Sequence, residues 1–151
     1  MNRRPKILAV SSGGGHWVQL LRLLPALESG RPTFVTVHSS NAKDVPGHDF
    51  EVIPDATRWN KFALLWMAMR ILWIVVKVRP DIVISTGAAP GYFAIRFGRW
   101  FGARTCWVDS IANASELSLS GRKIRKHATT VLSQWPEVAA KEDVIYAGSV
   151  L

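Results

Sequence analysis

Short, wholly apolar runs alternate along this chain with stretches of helical spacing, and each run ends in small or polar residues. Residues 6–10 break into Ser11-Ser12-Gly13-Gly14-Gly15, which predicts a buried strand ending in a glycine turn. From His16, the positions Trp17, Leu20, Leu21, Leu24 and Leu27 fall on one helical face as far as Gly30. Strands are predicted at 33–37 and 50–53, then a long helix at 59–78 stopped by Arg79-Pro80. A strand at 81–85 runs into Thr86-Gly87-Ala88-Ala89-Pro90-Gly91, followed by a helix at 92–101 and strands at 105–108 and 129–132. The tail, 144–151, reads as one more short strand. Strands apolar on both faces, alternating with helices, predict an α/β fold of Rossmann-like type: a doubly wound parallel sheet, in one domain over 1–151.

In such a sheet the loops at the carboxyl ends of the strands line the ligand crevice. The first glycine loop leads into a helix start, whose free N–H groups and partial positive charge suit a phosphate or diphosphate. Both standard nucleotide fingerprints fail. The dinucleotide pattern needs a glycine where Val18 stands, and no Gly-Lys-Ser/Thr occurs. Ser12, Gly13, Gly14 and Gly15, with Thr86, Gly87 and Gly91 from the second loop, are the expected binders of that phosphate or diphosphate. The bland reading is a pair of tight turns, but three successive glycines cost more chain entropy than a turn requires.

Candidate acid–base groups sit at the same sheet edge. His16 opens the helix, where the helix field favours a neutral ring able to accept a proton; the bland alternative is a histidine that only caps or hydrogen-bonds the loop. Asp109 follows the strand at 105–108 and either binds a sugar hydroxyl, serves as base or caps the next segment. Glu116 is either a third candidate or a solvated residue. His38, His48, His127 and Cys106 show no ligand-like spacing, so no metal site is expected. Cys106 lies in an apolar run and reads as a small core residue; Asn113-Ala114-Ser115 reads as a chance sequon.

The segment 62–78 is the most apolar, yet it is short for a hydrocarbon core of about 30 Å and carries Arg70 at its middle. On a helical wheel Trp59, Trp66 and Trp73 drift by only about 20° per step, with Arg70 and Lys77 on the same stripe. Leu64, Leu65, Ala68, Ile71, Leu72, Val75 and Val76 form the opposite side, suited to a core. Tryptophan mixed with cations fits a lipid interface, and Trp100 extends the mixture; the alternatives are a helix buried on all sides or a protein–protein interface rich in Trp and Arg. The net charge of +8, with 7 Trp in 151 residues, points to an anionic partner, and the interleaved aromatics favour a membrane surface over nucleic acid. The basic start at 1–6 is followed by too short an apolar run for a secretory signal, so a cytosolic chain is expected.

Four stretches carry a family likeness: Ser11-Ser-Gly-Gly-Gly-His16; Ser85-Thr-Gly-Ala-Ala-Pro-Gly91; Val108-Asp-Ser-Ile-Ala112 with Leu117-Ser-Leu-Ser-Gly121; and Ser133-Gln-Trp-Pro-Glu137. With them the chain resembles the asparagine-linked-glycosylation protein fourteen family and its bacterial exopolysaccharide counterparts. It is more distantly similar to the amino-terminal half of the GlcNAc transferase that makes lipid II. The resemblance implies one half of a GT-B glycosyltransferase split into two polypeptides. This half would hold a polyprenyl-diphosphate-linked saccharide at the cytoplasmic face of the membrane, needing no cofactor. A partner subunit would bind the UDP-sugar donor. Two rival readings are a non-catalytic membrane recruiter of a catalytic partner, and a basic nucleic-acid-binding domain.

Overall fold

Residues 3–150 are described by a computed structural model, in which the apolar runs become strands, those at the middle of the sheet covered on both faces. The chain runs β1 (Lys6–Ser11), α1 (Gly15–Arg22), α2 (Leu24–Leu27), β2 (Arg31–Thr36), a 3-10 turn (Ser39–Asp44) and β3 (Asp49–Val52). It continues through α3 (Lys61–Val78), β4 (Ile82–Gly87), α4 (Ala88–Trp100), β5 (Arg104–Val108), α5 (Leu119–Ile124), β6 (Thr130–Ser133), α6 (Pro136–Glu142) and β7 (Ile145–Tyr146). All neighbouring strands pair in parallel, in the order β3-β2-β1-β4-β5-β6-β7.

The period-2 alternation of β1 divides the core between the two faces of the sheet. Leu8 and Val10 join Met67, Ile71, Ile74 and Val75 of α3 and Ala94 and Ile95 of α4. Ile7 and Ala9 join Trp17, Leu20 and Leu27 with Phe34. Burying each of these large side chains stabilises the fold by about 1.5–3 kcal/mol relative to exposure.

Four expectations need correction. The helix foreseen over 16–30 breaks at Leu23, because Pro25 has no N–H to continue the ladder and instead opens the one-turn α2. The helix foreseen at 92–101 begins at Ala88, so the loop at 86–91 is the end of a strand joined directly to a helical first turn. The long helix starts at Lys61: Asn60 caps it by accepting from the Ala63 N–H, which leaves Trp59 outside. Finally, α5 and α6 were not foreseen; they are short, and only Ser118 and Pro136 mark their starts.

The faces of α3 differ from the wheel in detail. Met67, Ile71, Ile74 and Val75 face the sheet, whereas Leu65 and Val76, assigned to the core, are exposed. They join Phe62, Trp66, Met69 and Trp73 in an outward apolar stripe. Arg70 and Lys77 flank the stripe, but both are held by one carboxylate, Glu51 of β3, at 3.1 and 2.5 Å. Their charge is therefore partly spent within the protein, and the stripe is more apolar than cationic. Both also stack on Trp73, with the Arg70 guanidinium carbon 4.6 Å and the Lys77 amine 4.9 Å from the ring centroid. Among the described residues no helix is long and apolar enough to cross a membrane.

Candidate functional site

Strand order reverses between β1, which continues to β2 on one side, and β4, which continues to β5 on the other. Ligand crevices of doubly wound sheets open at such a switch point, beyond the carboxyl ends of the strands. A cleft of about 460 Å³ lies there, lined by His16, Arg58, Gly87, Ala88, Asp109, Asn113 and Ser118 among others.

Two helices begin at this cleft, α1 behind Gly14 and α4 behind Gly87, and no side chain caps either one. Neither has an acidic residue in its first turn. Each offers unsatisfied N–H groups and about half a positive charge. The backbone bends sharply to bring them together. Gly87 has φ 140°, and a Cβ built on it would fall 2.4 Å from His16 Nδ1. Ala88 sits at φ 65°, a conformation that costs a residue with a Cβ about 1 kcal/mol or more. Non-glycine strain of this kind clusters at functional sites.

His16 and Thr86 clasp the two loops. The Nδ1 of His16 lies 2.9 Å from the Thr86 carbonyl, and the Thr86 hydroxyl donates to the His16 carbonyl at 2.6 Å. A carbonyl only accepts, so Nδ1 carries a proton here, and in a ring holding that one proton Nε2 is the acceptor. Thr86 itself is buried and acts through this clasp.

Asp109 is buried and fully committed. Its carboxylate accepts from Trp107 Nε1 at 2.9 Å, Asn113 Nδ2 at 3.1 Å, the Ser118 N–H at 2.9 Å and Ser118 Oγ at 2.6 Å. The geometry thus ties β5 to the turn before α5, with Ser118 in addition capping α5 through the Gly121 N–H. A second buried network braces the same wall. Gln134 Nε2 donates to Gln19 Oε1 and to the Asp109 carbonyl, while Gln19 Nε2 donates to Ser110 Oγ. Glu116 stands apart, exposed and paired with Arg122.

The remaining predicted residues scatter. Ser12, Gly13, Gly14 and Gly15 shape the entry to α1, and of this loop only His16 lines the cleft. Gly91 lies within α4, where a Cβ would fall 1.8 Å from Ser85 Oγ; it lets the helix approach the sheet and does not face the cleft. Trp100 lies at the far end of α4, near a cavity of about 560 Å³ between the carbonyl ends of α3 and α4. That cavity lies at the opposite edge of the sheet from the glycine loops, lined by Arg79, Asp81 and Arg104 among others. Cys106 is not activated, since burial pushes its thiol up to about 11. Arg58, Asn113 and Ser118 were missed as lining residues; for Arg58 the only signal was its place in the polar loop just before an apolar helix.

The fold is that of one Rossmann-like half of a GT-B glycosyltransferase. Acinetobacter baumannii MurG superposes with a TM-score of 0.72 at 14% identity over 96% of this chain, and UDP-N-acetylglucosamine 2-epimerase from Rickettsia bellii with 0.75 at 9% identity over 98%. The chain spans 44% and 46% of those two chains, less than half of each. In sequence it is similar to the UDP-N-acetylglucosamine transferase subunit ALG14. The Yarrowia lipolytica (strain CLIB 122 / E 150) subunit is 24% identical over 91% of this chain and 76% of its own length, and the Mus musculus subunit 24% identical over 97% and 83%. No family model matches. The likeness first carried by four motifs therefore extends over nearly the whole chain, and it is to a glycosyltransferase subunit.

Proposed function

We propose that this chain is the acceptor-binding, membrane-docking subunit of a two-subunit glycosyltransferase, working at the cytoplasmic face of the membrane. One observation carries the reading: two uncapped helix starts meet beside His16 in a cleft close to the head of an outward apolar helix. The helix starts hold the diphosphate of a polyprenyl-linked saccharide, while the α3 stripe keeps the protein where its lipid tail lies. A partner subunit supplies the UDP-sugar.

In this mechanism the acceptor hydroxyl gives its proton to His16 Nε2 as its oxygen bonds to the anomeric carbon of the donor. The bond from that carbon to the UDP oxygen breaks, UDP leaves with the electron pair, and the centre inverts. The Thr86 carbonyl, accepting from Nδ1–H, steadies the imidazolium that forms. Asp109 and the Gln19–Gln134 network hold the wall of the cleft in place. This assignment favours a catalytic subunit over a bare recruiter, because His16 lines the cleft with its ring anchored through Nδ1 to the Thr86 carbonyl.

The docking half of the proposal is tested by replacing Phe62 and Trp66, which are 87% and 61% exposed. A Phe62→Glu, Trp66→Glu variant should sediment with phosphatidylglycerol-containing vesicles about tenfold less than the wild type, given the apolar area withdrawn from lipid. Its thermal unfolding should be unchanged. Equal vesicle binding by both proteins contradicts docking through α3.

A further inference from the structure

We infer that Arg58 is the residue that selects a diphosphate over a monophosphate at this cleft, an inference that rests on the acceptor reading above. The argument is one of charge. A diphosphate ester brings at least two negative charges into the cleft. The starts of α1 and α4 together supply about one positive charge. His16 spends its Nδ1 proton on the Thr86 carbonyl, so that donor is not open to phosphate. Asp109 brings no positive group, and the four donors around its carboxyl are already engaged by it. The helix starts therefore match one phosphate and leave the second uncompensated.

Arg58 is the one Arg or Lys among the described residues lining the cleft. None of the described ion pairs takes it up. Its guanidinium carbon instead lies 4.7 Å from the centroid of the Trp59 ring. Such stacking restrains a long side chain without spending its hydrogen-bond donors, and the planar fork remains free to meet phosphate oxygens in pairs.

The loop that carries it is fixed at both ends. Ile53 is buried and Ala56 packs on the core, while Asn60 caps α3. Arg58 and Trp59 thus stand between the phosphate site and Phe62, where the apolar stripe begins. A lipid diphosphate entering from the bilayer passes this pair with its charged group leading. Trp59, 81% exposed and outside the helix, gains a role here that the tryptophan stripe did not give it.

The experiment uses the 151-residue chain with geranyl diphosphate and geranyl phosphate as probes, measured by titration calorimetry, with the Arg58→Gln and Arg58→Lys variants beside the wild type. The wild type should bind the diphosphate about tenfold or more tightly than the monophosphate, from one charge-assisted contact made only to the second phosphate. Arg58→Gln should lose that preference by weakening diphosphate binding and leaving monophosphate binding unaltered. Arg58→Lys should keep part of it, as a point charge without the fork. A diphosphate preference that survives in Arg58→Gln overturns the inference and leaves the acceptor reading standing. A wild-type chain that binds neither probe overturns both. Arg58 is exposed, so circular dichroism and unfolding temperature should match among the three proteins.

Discussion

Replacing His16 with alanine should lower sugar transfer by about 10²–10⁴-fold, the usual contribution of a positioned general base, measured at saturating acceptor with the donor-binding subunit present. The expectation follows from a hydrogen bond. The Thr86 carbonyl, 2.9 Å from Nδ1, fixes the ring as the tautomer whose free nitrogen is Nε2. A His16→Gln variant separates position from proton transfer, since its amide can still donate to Thr86 but takes up no proton. It should be as inactive as His16→Ala while holding the two loops together. Binding of the partner subunit should survive in both. Full activity in His16→Ala would remove this residue from the mechanism and favour a recruiter whose chemistry lies wholly on the partner.

Asp109→Ala should chiefly destabilise the fold, by about 3–5 kcal/mol, or roughly 10 °C in unfolding temperature for a chain of this size. The carboxylate is 2% exposed and satisfies the indole N–H of the fully buried Trp107, both donors of Ser118 and the Asn113 amide. Removing it strands several of these in a site with little water to replace it. Asp109→Asn should cost about half as much, because one oxygen remains while the amide opposes a donor. The reverse pattern, native stability in Asp109→Asn with transfer abolished, would return Asp109 to the role of proton acceptor that the sequence also allowed.

The sheet was legible because its inner strands, β1 above all, are apolar on both faces, a pattern that a helix of similar length, such as α1 with its polar flank, does not share. The switch-point location of the two glycine loops followed from strand order alone. What the sequence hid was side-chain commitment. Asp109 and His16 look alike as polar residues at strand ends, and only the fold shows one carboxylate met by four donors and one imidazole with a free nitrogen. Arg70 and Lys77 share a face with Trp73 on any helical wheel, but Glu51, distant in sequence on β3, claims both. Gly91, placed by the sequence in the loop 86–91, lies within α4 behind Pro90. Proline is tolerated in the first turn of α4, where its missing N–H has no partner to lose. Arg58 carries no motif, and its meaning depends on the cleft that β1 and β4 build around it.

The central claim is that one wall of a transfer site stands here and a second protein brings the sugar nucleotide. It is tested most directly by titrating the purified chain with UDP-N-acetylglucosamine and assaying transfer to a polyprenyl-diphosphate acceptor, without and then with the donor-binding subunit. No saturable nucleotide binding and no transfer by the chain alone, with activity on adding the subunit, is the predicted result. Tight binding of the sugar nucleotide and unaided turnover by the chain alone would contradict it.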